Sequence, residues 1–213
     1  MSEPRIKLLD KTQAEYPVGP MPLGEALRWF SPHEQDVADR VAIFVTQHAY
    51  LRCVEHAAEN LERELGGVLV GVARQDQEGR PFIVVEDAIR AEHTEFGPTH
   101  LTFTQDSLVQ LNNELEERFP GKQMVGWYHT HPRMDVFLSS YDTWLHTNLF
   151  GEPWQVALVI EPCAQKGGFF CWQPEAELDP RNFVGFYEMA DVSEESVVEW
   201  TNLEPDEEEE DDD

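Results

Sequence analysis

At 213 residues the chain has room for one core of ordinary size, and a second full domain would leave both halves small. Forty-two acidic against fifteen basic residues give a formal charge of −27, which repels phosphate backbones and anionic headgroups and sets nucleic acid and membrane surfaces aside as partners. Thirteen of the acids fall between Asp191 and Asp213 with no Lys or Arg among them, yet the preceding 190 residues still carry −14, a balance that suits a basic partner.

A hydrophobic content of 41% and an aromatic content of 11% suffice for a core, while a mean hydropathy of −0.48 marks a polar surface. Cys53, Cys163 and Cys171 are an odd number without the spacing of a disulfide scaffold, which points to free thiols in a reducing compartment. No apolar run approaches the eighteen residues of a membrane span, and "MSEPRIKLLDK" has no signal-peptide core, so a cytoplasmic protein is expected.

Along the chain, Pro17, Pro20, Pro22 and Pro32 break up the first segment, which reads as an irregular arm over 1–38 with one helical turn around Leu23 to Phe30. "VAIFV" from Val41 is a short buried strand. "QHAYLRCVEHAAENLERE" follows with apolar residues at Tyr50, Leu51, Val54, Ala57, Ala58 and Leu61, the three-and-four spacing of a helix with one buried face. "LGGVLVGVA" and "PFIVVEDAI" are strands on either side of a polar turn. Residues 92–99 read as irregular and "HLTFT" as a short strand; "QDSLVQLNNELEERF" is a helix stopped by Pro120-Gly121. "MVGWYHTH" is a strand closed by Pro132, "DTWLHTNLF" a helix, and "WQVALVIEP" a buried strand that "GGFFCWQP" pairs with. The alternation predicts an α/β domain with a mixed sheet over 39–190, followed by an acidic tail over 191–213 that cannot pack.

The chemistry concentrates in "GWYHTHPRMDVFLSSYDTW", Gly126 to Trp144. On a strand, residues i and i+2 share a face about 7 Å apart, so His129 and His131 project together while Thr130 points away. A catalytic zinc wants three ligands from His and carboxylate plus an open position for water, and His129, His131 and Asp142 meet that requirement. The separate pieces also have plain readings. Paired histidines occur on exposed strand ends, and Ser-x-x-Asp is what a helix N-cap with an acidic first turn looks like.

The whole string, His129-x-His131, seven residues, then Ser139-x-x-Asp142, resembles the JAMM motif of the MPN+ metalloproteases in type and spacing. "ELGGVLVG" resembles the family's glutamate-strand segment, and the order of elements from Val41 to about Gln173 resembles it too. The resemblance implies a mixed, curved β-sheet flanked by helices, in the cytidine-deaminase-like architecture of MPN/JAB domains. It implies one Zn2+ held by His129, His131 and Asp142, Glu64 as general acid/base, and Ser139 as oxyanion stabiliser. The periodicity alone leaves Glu55, Glu59, Glu62 and Glu64 as one solvated helix face.

The resemblance further implies cleavage after the C-terminal Gly-Gly of ubiquitin or a ubiquitin-like modifier, by a stand-alone prokaryotic-type enzyme. A homodimer or a second MPN-type subunit is an implied partner, and a non-catalytic MPN scaffold is the alternative reading. Because the tail of ubiquitin carries arginines, Glu92, Glu95 and Asp135 are candidates to meet them, with Phe96, Phe137 and Trp144 lining the groove. Cys163, Cys171 and His146 raise the thought of a second zinc, although their spacing does not match the insertion that carries one in linkage-selective relatives.

Overall fold

Strong β-formers on both sides of the turn at 76–80 make the longest strands, β3 (Gly66–Gln75) and β4 (Pro81–Arg90), an antiparallel pair at the centre of the molecule. The computed structural model describes residues 16–32, 34, 40–92, 94–97, 100–173 and 177–206, with the backbone alone for 94–97 and 100–102.

Around that pair the remaining strands are β1 (Ala26–Phe30), β2 (Ala42–Thr46), β7 (Gln123–Thr130), β8 (Val156–Glu161), β9 (Lys166–Cys171), β10 (Phe186–Met189) and β11 (Glu204–Pro205). They form one mixed sheet in the order β11-β1-β10-β2-β4-β3-β7-β8-β9, with parallel pairing at β10–β2, β2–β4 and β7–β8. A separate hairpin joins β5 (Thr94–Gly97) to β6 (His100–Phe103). The sheet curls: Phe169 of the outermost strand β9 exchanges backbone hydrogen bonds with Val184, two residues before β10.

Helix α1 (Gln47–Ala58) covers one face through Ala49, Tyr50, Cys53 and Ala57, which pack on Leu69, Val85 and Leu158. Helices α2 (Gln105–Arg118) and α3 (Ser140–Leu149) cover the other through Leu111, Leu145 and the adjoining Phe150, against Val68, Trp127 and Val159. Strand β7 therefore feeds both cores, with Tyr128 in the first and Trp127 in the second. The α/β class and the flanked mixed sheet are as the sequence predicts.

Residues 92–99, read as irregular, carry β5 (Thr94–Gly97), and three further readings change. From Leu23 to Phe30 the expected helical turn is present only as a 3-10 turn over Leu23–Glu25, and the rest is not irregular but forms β1, which pairs with β10 and β11. The reason is non-local, since Trp29 is buried and its indole N–H donates to Glu188, 159 residues along, at 3.0 Å. Residues 191–206 are not a solvated tail. Gln47, Ser196 and the Val197 N–H also donate to Glu188, and Trp200 packs edge-on to Tyr50 and Phe186. Gly167 is what lets Trp200 in, because a Cβ there would lie 2.3 Å from the indole. The remainder of both terminal segments, 1–15, 33, 35–39 and 207–213, lies outside the described residues.

The third change decides the site. Helix α1 stops at Ala58 because the Asn60 side chain accepts the N–H groups of Glu62 and Arg63, a local turn that replaces helical bonds. Glu64 thus leaves the helix face and is buried ahead of β3.

Buried His56, bonded at 2.8 Å to the Tyr128 hydroxyl, has its pKa lowered from 6.5 to about 4, by burial first and by the Arg90 charge second. The unfolded chain then binds a proton that the folded one refuses, so this contribution to stability is complete above about pH 6.5 and is lost as pH falls toward 4. Denaturant titrations at both pH values are expected to show His56→Gln losing about 2 kcal/mol less than the parent over that window, after allowance for partial solvent screening.

Candidate metal centre

The two histidines stand at the end of β7, where Gly66 of β3 is the partner of His129 and the chain turns at Pro132. Both rings point to the side covered by α3, and both residues are buried, at 0% and 2% exposure. Asp142, also 2% exposed, comes from the first turn of α3. A capping box holds it: Ser139 Oγ accepts the Asp142 N–H at 3.2 Å while Asp142 Oδ2 accepts the Ser139 N–H at 2.7 Å. The plain reading of Ser139 as a helix cap is therefore correct, and the cap is also what aims the carboxylate.

His129 Nε2 and His131 Nε2 are 3.0 Å apart, and Asp142 Oδ2 lies 3.5 and 3.7 Å from them. Tetrahedral ligands at zinc-like bond lengths of about 2.0–2.1 Å stand about 3.3 Å from each other, so these spacings bracket what one ion requires. The donor chemistry fits as well. His131 Nδ1 faces the Asp135 carbonyl at 3.1 Å; donating to it leaves the His131 Nε2 lone pair directed at the cluster. Two imidazole nitrogens and a carboxylate buried in one spot call for a cation. Among the described residues this is the one group of three side chains able to hold a metal ion.

Charge in the cluster is strongly coupled. Burial opposes ionisation of Asp142, but the His129 charge and hydrogen bonds from the His129, His131 and Ser139 side chains outweigh it and hold the carboxyl well below its ordinary range. Burial likewise opposes a charged His131, yet its bonds to Asp142 and the Asp135 carbonyl, with the charges of Asp142 and Glu64, raise its pKa.

Glu64 reaches this neighbourhood through its successor. The Leu65 carbonyl accepts the Thr130 N–H at 2.9 Å, and the Thr130 hydroxyl accepts the Leu65 N–H at 2.8 Å. Thr130, the residue between the histidines that points away from them, is thus the clamp for the glutamate segment. The sequence offered only its position as a hint. Glu161 was missed too: its buried carboxylate accepts the N–H groups of Arg133, Cys163 and Ala164 and so anchors the loop behind His131.

The groove candidates divide. Phe137 packs on His131 with ring centroids 4.8 Å apart, and Trp144 is 55% exposed, stacked on Tyr141. Asp135 pairs with Lys166 at 3.3 Å, which offsets its charge; Glu92 is exposed, and the side chains of Glu95 and Phe96 lie outside the described residues. Cys163 is exposed, Cys171 is buried with its thiol pushed up to about 12 by burial, and His146 bonds to Trp127, so the three make no second metal group. No helix among the described residues is long and apolar enough to cross a membrane.

Residues 40–150 match the protein family described as JAB1/Mov34/MPN/PAD-1 ubiquitin protease. The chain is 31% identical over 123 residues to COP9 signalosome complex subunit 5 of Eremothecium gossypii, covering 55% of this chain and 27% of that protein. It is 37% identical over 87 residues to a STAM-binding protein-like protein of Xenopus laevis, 36% of this chain and 20% of the relative. A third match, to the NAD(+) hydrolase TcpA of Theionarchaea archaeon (strain DG-70-1), is 36% identical over 69 residues, 32% and 21% of the two chains. The chain therefore spans between a fifth and about a quarter of these relatives' length. The solution structure of a Desulfitobacterium hafniense protein aligns with a TM-score of 0.48 at 24% identity, over 72% of this chain and 94% of the other.

Proposed function

The chain belongs to the JAB1/Mov34/MPN/PAD-1 family, and from that premise we propose that it is a zinc-dependent peptidase or isopeptidase that cuts after the C-terminal Gly-Gly of ubiquitin or a ubiquitin-like modifier. The observation that carries the reading is the convergence of His129, His131 and Asp142 within 4.8 Å, all buried, with the glutamate segment clamped alongside. A His, His, carboxylate set is a catalytic zinc's, and it leaves one position open. The description of the matching family as a ubiquitin protease supports the substrate class.

Bound there, the metal supplies a Lewis acid that makes a water nucleophilic near neutral pH. The chain's own residues do the rest. Glu64 takes the proton of the attacking water and delivers it to the departing amine. Ser139, whose Oγ accepts the Asp142 N–H, turns its O–H to the oxygen that gains charge at the scissile carbonyl. The Asp135 carbonyl and the α3 cap keep His131 and Asp142 from turning away.

The test is a panel of C-terminally extended ubiquitin and ubiquitin-like fusions, incubated with the protein before and after zinc chelation. Cleavage after Gly-Gly that disappears with the chelator and returns with zinc supports the reading and names the modifier. A protein that holds no metal and cuts nothing is instead the non-catalytic scaffold.

A smaller effect follows from the clamp. Thr130→Val keeps the shape but leaves the Leu65 N–H without its acceptor, so kcat is expected to fall about 10- to 100-fold as Glu64 shifts, with zinc content by elemental analysis unchanged.

A further inference from the structure

An imidazole that binds a metal is ordinarily held in orientation by a hydrogen bond from the ring nitrogen facing away from the ion. His131 has that bond, to the Asp135 carbonyl. His129 does not: its Nδ1 is buried with no hydrogen-bond partner among the described residues. In its place His129 has the Trp127 indole, stacked with centroids 4.6 Å apart and planes within 10°. Phe150 backs the indole on a nearly parallel plane at 6.0 Å.

Stacking alone lets an indole slide and turn in its own plane. The Trp127 N–H stops this by donating to His146 Nδ1 at 3.0 Å. His146 sits on α3, one turn beyond Asp142, is wholly buried, and rests against Trp172 at 4.9 Å. With Nδ1 accepting, the neutral ring carries its proton on Nε2, and that buried nitrogen has no partner among the described residues. A buried donor left unsatisfied weakens a fold, so stability alone does not account for a histidine here.

We propose that His146 is a positioning residue for the metal centre: by accepting the Trp127 N–H it locks the indole, and the locked indole sets the ring of His129 in place of the missing outer hydrogen bond. Helix α3 thereby supplies both a ligand, Asp142, and the remote brace of a second ligand, so the cluster assembles only when α3 is docked. The inference rests on the metal-binding reading above.

The test compares wild type, His146→Leu and His146→Gln by zinc affinity in competition with a chromophoric chelator, by the visible absorption of the Co2+-substituted protein, and by melting of the metal-free form. His146→Leu is expected to weaken zinc about 10- to 100-fold and shift the Co2+ bands, while the metal-free melting temperature stays within about 4 °C. His146→Gln, whose side-chain oxygen accepts the same N–H, is expected to recover most of that affinity. Trp127→Phe, which keeps an aromatic face but has no N–H, serves as a second variant; combined with His146→Leu it is expected to lose no more than either alone. Wild-type zinc affinity in both His146→Leu and Trp127→Phe overturns the brace and leaves the metal centre standing. Equal loss of metal-free melting temperature in His146→Leu and His146→Gln, without rescue of affinity, also overturns it. A wild type that binds no zinc overturns the brace and the proposed function together.

Discussion

Glu64→Gln is expected to leave one zinc per chain and to lower kcat by about 10²- to 10⁴-fold. Gln matches Glu in size and keeps a hydrogen-bonding oxygen but cannot take up a proton at neutral pH. Nothing that holds the segment changes, because both Leu65–Thr130 bonds run through the backbone and the Thr130 hydroxyl. Loss of turnover with full metal content separates proton transfer from metal binding. Single-turnover kinetics beside elemental analysis make the measurement. Turnover within a factor of a few of wild type would remove Glu64 from its assigned role and send the search to another acid on the cluster's rim.

The second large effect concerns Asp142. Asp142→Asn keeps the shape and an oxygen able to accept the Ser139 N–H, so α3 should stay capped. The negative charge that balances the ion goes, and with it a ligand. Zinc affinity is expected to fall by more than the roughly 10- to 100-fold typical of losing a residue that only supports a ligand, and activity to follow the metal content. Ser139→Ala makes the complementary cut. It removes the cap's acceptor, at about 1 kcal/mol of stability, or roughly 2–4 °C of melting temperature in a domain this size, and it removes the oxyanion donor while leaving all three ligands. Asp142→Asn should therefore be zinc-poor and nearly as stable as the metal-free parent, and Ser139→Ala zinc-replete, less stable and slow. Isothermal zinc titration with thermal melts distinguishes them; full zinc affinity in Asp142→Asn would remove the carboxylate from the ligand set.

The parts of this molecule that the sequence revealed are those where chemistry and periodicity are local. His129 and His131 share a face because they are two apart on a strand, and Ser139 and Asp142 meet because they are three apart across a helix start. The position of Glu64 was another matter. Its glutamate-rich neighbourhood reads as one continuing helix, and only the side chain of Asn60 reveals where the helix ends. Strand β1 was illegible for a related reason: prolines precede it, its outward residues are mixed, and the partners that make it a strand lie more than 150 residues away. The segment before Asp206 looked unable to pack because charge dominates its composition, yet Trp200 and Leu203 anchor it in sockets built by α1 and β9. Non-local partners of that kind leave little trace in a window of ten residues.

The pairing of β1 with β10 and β11 bears on how the molecule comes into being during synthesis. Strand β1 leaves the ribosome well before the strands that flank it on both sides, which lie within residues 186–205. Until those strands emerge β1 is exposed along both edges, with Trp29 uncovered, although the histidines and α3 precede them in the nascent chain. Completion of the sheet therefore waits on residues remote from the metal cluster. A nascent chain arrested near residue 185 would hold every ligand of the centre and still present two open strand edges to chaperones, proteases and other copies of itself.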